Sequence, residues 1–262
     1  GQSGKVKVTF ENRTGLNMRG VPTYDVLDDP KEYYELYWES IRNQQLTTGK
    51  SYLEAGQYAS NSLVANLGGY NCYNVANELL VDPITGRLNP AAKLLYHDDW
   101  LEEAFEPGLR QENVISFSGG TDKTQYYASL GYLNDESYTV NSNLQRINAR
   151  VKVDQQVNKW FKVGVNLAYS NVKTNSPNVG GTNYSSIFFF GQTIAPIYPV
   201  YMYDAQGNRQ FDAQGKPLYD YGVDMGKRPV GANAHPIAQQ LYDIYKGNSD
   251  VINAKAYAEF SF

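Results

Sequence analysis

Apolar and polar residues alternate with a period of two over several stretches of the chain, the pattern of strands in a sheet with two chemically different faces. The densest stretch, Asn113 to Asn171, predicts a meander of four strands. Asn113–Phe117 leads through Ser118-Gly119-Gly120-Thr121-Asp122-Lys123-Thr124 into Gln125–Leu133; after a longer loop, Arg146–Asp154 passes through Asn158-Lys159-Trp160 into Phe161–Asn171. Lys5–Asn12 predicts a first strand, with Val6, Val8 and Phe10 on one face. A last one carries Ile252, Ala254, Ala256, Ala258 and Phe260 on one face and runs toward Phe262. Across the meander, one face collects Ile115, Phe117, Leu130, Ile147, Val151, Val153, Val163, Val165, Leu167 and Tyr169, with no charge among them. The other collects Asn148, Arg150, Lys152 and Asn166 among serines and glycines.

Between these strands the period changes. Asp28-Asp29-Pro30 is a helix start, a capping aspartate followed by proline, and Pro30–Gln45 places Tyr34, Tyr37, Trp38 and Ile41 on one stripe, as a packed helix does. Thr47 to Tyr96 reads as loop with short helical pieces, one of them starting at Asn89-Pro90. Leu101–Phe105 reads as helical behind an aspartate cap. Asp204-Ala205-Gln206-Gly207 and Asp212-Ala213-Gln214-Gly215 read as hairpin turns. They have too few acidic ligands at alternate positions for calcium loops.

Alternation alone fits a soluble sandwich or a membrane barrel. Three features favour the barrel. The central strands run close to the roughly 9–11 residues that a tilted membrane-crossing strand needs. Aromatic residues end the apolar faces: Phe161 and Tyr169 are about 26 Å apart at about 3.3 Å per residue, suited to the aromatic girdles of a barrel wall. Short connections (Ser118–Thr124, Asn158–Trp160) fall on one side and long ones (Thr14–Gln111, Asp135–Gln145, Val172–Gly247) on the other. Outer-membrane barrels have short periplasmic turns and long extracellular loops. In this reading Asn148, Arg150, Lys152 and Asn166 face the lumen, because a lipid-facing charge at the midplane costs about 2–4 kcal/mol.

Composition adds little to this and excludes much. The 262 residues carry a net charge of −4 with pI near 5.3 and mean hydropathy −0.53. That gives no electrostatic case for nucleic acid, and no apolar run is long enough for a membrane helix. The single cysteine, Cys72, rules out an intrachain disulfide and cysteine-based zinc clusters. The 23 tyrosines are the unusual count; with the polar average they motivate the alternative of a soluble carbohydrate-binding β-sandwich. His97-Asp98-Asp99-Trp100 invites a metal or catalytic reading, but adjacent cap residues do not converge on one point. Asn66-Leu67-Gly68-Gly69-Tyr70 lacks the Lys-Ser/Thr of a phosphate loop. No nucleophile–base pair, paired-carboxylate signature or cofactor motif is present, so no enzyme and no cofactor is expected.

The fold class expected is therefore all-β: about six strands forming a sector of a large antiparallel transmembrane β-barrel, with long, partly helical extracellular loops. The segments are a strand at 1–13, a loop at 14–111, the four-strand meander at 112–171, a second loop at 172–247 and a strand at 248–262 cut within a longer polypeptide. Six strands cannot close a barrel, the smallest having eight, so the remainder of the barrel has to come from elsewhere.

Several stretches resemble one family. These are Gly4-Lys5-Val6-Lys7-Val8-Thr9-Phe10, Asp99-Trp100-Leu101-Glu102-Glu103-Ala104-Phe105, the run from Ile115 to Tyr132 around Ser118-Gly119-Gly120-Thr121-Asp122-Lys123-Thr124, Asn143–Val151 and Val157–Asn166. The chain resembles the SusC/RagA family of TonB-dependent outer-membrane transporters of the Bacteroidetes, most strongly from Trp100 to Ser170. The resemblance implies the N-terminal part of a barrel of about 22 strands, following a plug that this sequence lacks. It further implies TonB-driven import of oligosaccharides or peptides through the cell outer membrane and a SusD-like surface lipoprotein as lid. Aromatics of Tyr184–Tyr203, among them Tyr184, Phe189 and Tyr198, have two readings, contact with substrate or lid and packing of loop against loop.

Overall fold

A computed structural model describes residues 4–20, 22, 24–176 and 184–261. The expected aromatic end at Phe262 and part of the second loop, 177–183, lie outside the described residues. The chain divides into two compact units.

The first unit is a single antiparallel sheet of six strands in the order β1-β2-β3-β4-β5-β6. These are β1 (Gly4–Asn17), β2 (Gly108–Gly120), β3 (Thr124–Glu136), β4 (Asn143–Asn158), β5 (Phe161–Asn175) and β6 (Lys246–Phe260). Each strand pairs with its neighbour in sequence, so the sheet is an up-and-down meander, and it is not closed. The strands are longer than the alternation predicts: Asn113–Phe117 is the middle of the 13-residue β2, and β4 runs 16 residues. The apolar pattern stops where the apolar face stops, but the ladder continues through polar rows such as Arg13–Glu112 and Leu133–Arg146. The short turns follow the sequence reading: Thr121 N–H donates to the Thr124 carbonyl at 2.7 Å, and Trp160 N–H to the Asn158 side chain at 3.0 Å.

The second unit holds α1 (Pro30–Thr47), α2 (Tyr52–Asn66), α3 (Trp100–Ala104), α4 (Ile187–Thr193) and the start of α5 (Pro236–Tyr242), with irregular chain between them. Asp29 caps α1, accepting from Lys31 N–H at 2.9 Å, and the expected stripe is buried, with Tyr34, Trp38 and Ile41 in the core. Helix α2 corrects the loop expected over Thr47 to Tyr96. Ser51 and Glu54 form a reciprocal capping box that starts it, and its inner face uses small residues, Ala55, Gly56, Ala59 and Ser60, against α1. Asn89-Pro90 starts no helix; Asn89 closes a turn by accepting from Ala91 and Ala92 N–H. The core combines Tyr34, Trp38, Leu63, Leu67, Tyr70, Leu80, Ile197 and Tyr198. The two Asp-x-x-Gly segments are turns as expected, with Gly207 and Gly215 at φ of 81° and 77°.

Candidate functional site

The strand register turns the alternation into rows. One row joins Val8, Phe117, Ala128, Val151, Leu167 and Ala254; the next joins Phe10, Ile115, Leu130, Ala149, Tyr169 and Ile252. Tyr126, Val153, Val165 and Ala256 extend the same face on one side. The band ends in polar positions, Asn12, Asn113, Asn171 and Asp250, where Tyr169 donates to Asp250 at 2.6 Å. At its opposite margin Trp160, Phe161 and Phe260 stack, with the last two rings 4.8 Å apart. This face is uncovered: Phe10, Leu130, Val151 and Leu167 are 66%, 54%, 50% and 48% exposed. A soluble sandwich would pack a second sheet there; among the described residues there is one sheet only, and the sandwich alternative fails on that point.

The other face carries the residues expected to line a lumen. Asn148, Arg150, Lys152 and Asn166 share it through the pairs Gly131–Asn148, Ser129–Arg150, Tyr127–Lys152 and Lys152–Asn166. Arg150 Nε donates to Asn166 Oδ1 at 3.0 Å. Lys152 pairs with Asp154 at 2.7 Å, and the Tyr257 hydroxyl donates to the same carboxylate at 2.7 Å. Nearer the end of the long connections, Glu112 sits among Arg13, Arg110 and Arg146 at 3.8, 3.6 and 3.5 Å, and Arg110 also reaches Asp135 at 3.1 Å. This network went unread in the sequence because its members come from four strands and meet only through the register. The face can hold water and polar solute, and its carboxylates are committed to basic partners rather than to acid–base chemistry.

Gly164 shows how closely this face is built. It pairs with Tyr257, and a Cβ on it would come within 2.2 Å of the Tyr257 ring and 2.6 Å of Asp154. A tyrosine folded over a cross-strand glycine keeps the pair packed without a side chain on one partner. Gly119 and Tyr126 repeat the device on the apolar face.

In the loop unit, Tyr184 and Phe189 are exposed, at 42% and 41%. Tyr198 is buried at 5%: its ring meets Tyr70 edge-on at 4.9 Å and its hydroxyl donates to the Leu67 carbonyl at 3.3 Å, so its place is in the packing of this unit. Burial, reinforced by Tyr33 and Tyr37, raises its hydroxyl pKa well above the ordinary tyrosine value. The His97–Trp100 stretch divides its roles. His97 is exposed, Asp99 caps α3 through Leu101 and Glu102 N–H, and Asp98 is a buried tie. Asp98 accepts from Val200 N–H at 2.8 Å, Tyr201 N–H at 3.2 Å and the Tyr203 hydroxyl at 2.5 Å. His235 is fully buried; Ala238 N–H donates to its Nδ1 at 3.0 Å, so its Nε2–H donates to the Val200 carbonyl at 2.8 Å. Burial lowers its pKa to about 4. No cluster of three or more potential metal ligands occurs among the described residues.

Comparison with known proteins shows what this chain is similar to. No family model matches the chain. TonB-dependent receptor P3 of Formosa agariphila is 27% identical over 169 residues, 63% of this chain and 15% of that protein. TonB-dependent receptor SusC of Bacteroides thetaiotaomicron is 26% identical over 133 residues, 50% of this chain and 12% of SusC. The structure of the RagAB peptide importer in its closed-closed state superimposes with a TM-score of 0.60 at 19% identity, covering 100% of this chain and 27% of the matched one.

The chain is a relative of TonB-dependent receptors of the SusC type.

It matches only a small part of those proteins, 15% of receptor P3, 12% of SusC and 27% of the RagAB chain. Its sheet is a sector of a transmembrane barrel like that of RagA, and its relatives are receptors and transporters rather than enzymes.

Proposed function

We propose that this chain is the N-terminal part of the barrel wall, with two extracellular loop segments, of an outer-membrane importer. The receptor takes up oligosaccharides or peptides, is energised through TonB by a segment outside this chain, and works with a SusD-like surface lipoprotein that lids the outer face. The observation that carries this reading is the uninterrupted, uncovered apolar band of the sheet, backed by a polar, ion-paired face. That combination suits a wall between lipid and an aqueous lumen. The connections 18–107 and 176–245 leave the sheet from the end where Asn17 pairs with Gly108 and Asn175 with Lys246. Their length and helical content support an extracellular position, with Ser118–Thr124 and Asn158–Trp160 periplasmic. Asn148, Arg150, Lys152 and Asn166 line the lumen in this arrangement. Tyr184 and Phe189 supply exposed rings for substrate or lid, and Tyr198 supports that unit from within. Deleting the receptor gene tests the proposal: uptake of at least one labelled oligosaccharide or peptide pool falls to background, and a surface lipoprotein co-purifies with the wild-type receptor. Uptake unchanged across both pools contradicts it.

A further inference from the structure

Two neighbouring rows of the polar face carry cations and no carboxylate. One runs from Ser129 through Arg150 and Ala168 to Asn253, the other from Tyr127 through Lys152 and Asn166 to Lys255. They lie level with Val151, Leu167 and Ala254, in the middle of the apolar band of the opposite face. The chain as a whole has a net charge of −4, so a basic patch at this height is not a reflection of its average. The arginines near the long connections share Glu112, and Lys152 has Asp154. Arg150 and Lys255 have no carboxylate partner among the described residues.

Arg150 and Lys255 line one hollow of about 400 Å³, together with Asn166, Ala168 and Asn253. That is within the size range of small-ligand sites. The residues paired with Arg150 on either side, Ser129 and Ala168, are small and leave room around its guanidinium. Arg150 Nε donates to Asn166 Oδ1 at 3.0 Å. This bond occupies the acceptor of the amide and leaves its NH2 group as a donor. A guanidinium, an ammonium and an amide NH2 group thus border one space. Arg150 and Lys255 are exposed to solvent; what they lack is a counter-charge. The planar fork of an arginine matches the oxygens of a carboxylate or a similar oxyanion. Beside a wall of low dielectric, the field of two cations is focused into the adjoining water and raises the local concentration of anions. A neutral solute gains nothing from that field.

We propose that this hollow is a station for an anionic group of the imported solute, a carboxylate or a similar oxyanion, held by Arg150 and Lys255 with the Asn166 amide beside them. The proposal rests on the import reading above for the passage of solute along this face, and it narrows the substrates to acid-bearing ones. It is tested in the full-length receptor in lipid vesicles, with Cys72→Ala and with Ala168→Cys as a reporting thiol in the hollow; the same receptor without Ala168→Cys gives the background. The introduced thiol reacts about ten-fold faster with an anionic thiosulfonate reagent than with a cationic one, each rate being referred to a free thiol in solution. Arg150→Gln and Lys255→Gln each reduce that preference about two- to five-fold, the worth of one exposed charge. Hexagalacturonate and hexaglutamate are then offered beside maltohexaose and hexaserine. At least one acid-bearing probe slows the labelling more than its neutral counterpart does, and which of the two does so tells a sugar source from a peptide source. No preference for the anionic reagent, a preference unchanged in both variants, a thiol that neither reagent reaches because another part of the receptor covers it, or protection no stronger by acidic than by neutral probes overturns the proposal. Failure of the import reading is a separate outcome, in which gene deletion leaves uptake intact while the charge preference in vesicles still depends on Arg150 and Lys255.

Discussion

At the scale of single residues, Gly164 and His235 carry the sharpest expectations. A Cβ at position 164 collides with Tyr257 and Asp154, both part of the polar face. Gly164→Ala should therefore displace Tyr257 from Asp154 and destabilise the barrel by about 1–3 kcal/mol, the usual cost of overpacking, read as a lower urea midpoint in lipid vesicles. His235 acts through pH. Its folded pKa of about 4 lies below the unfolded value of about 6.5. Between those values the unfolded chain binds a proton that the folded chain does not, so stability falls as pH drops from about 6.5 to about 4 and levels off below. The loss is on the order of 3 kcal/mol. Thermal melts of the loop unit across that range should show it, and His235→Gln should flatten the profile. Neither residue announced itself in the sequence. Gly164 reads as one more small residue on a polar face, and the burial of His235 depends on the Val200 carbonyl, distant along the chain. Tyr198 makes the same point: tyrosine is placed equally well in a core or on a binding surface, and its type carries no sign of which.

At the scale of elements, the strands were legible because period two survives wherever one face meets an apolar medium. Their ends were not, because the rows around Glu112 are polar on both faces and carry no alternation. Helix α2 was legible in principle through Ser51 and Glu54; its small inner residues hid the apolar stripe that makes α1 obvious. The register now separates neighbouring positions on one strand. Leu167→Arg, in the middle of the apolar band, should cost about 2–4 kcal/mol, whereas Asn166→Arg should be tolerated; folding yield into vesicles measures both. In the loop unit, Asp98 ties residues 200–203 to the segment before α3. Asp98→Ala leaves buried N–H groups unpaired at about 1–3 kcal/mol each. Hydrogen exchange should accelerate at Val200 and Tyr201 while the strands keep their protection.

At the scale of the whole molecule, the central proposal is that one side of this six-stranded sector meets lipid and the other an aqueous lumen. The likeness to TonB-dependent receptors and the barrel fold were legible from the alternation and from the runs around Ser118–Thr124 and Val157–Asn166. The lone cysteine is fully buried, which suits spin labelling. With Cys72 replaced by alanine in the full-length receptor, single cysteines at Val151, Leu167, Arg150 and Asn166 can be labelled in lipid vesicles and challenged with oxygen, which concentrates in the bilayer, and a water-soluble nickel chelate. Labels at Val151 and Leu167 should relax strongly with oxygen and weakly with nickel, and those at Arg150 and Asn166 should show no such lipid preference. Nickel access at Val151 and Leu167 equal to or above that at Arg150 and Asn166 would contradict that proposal.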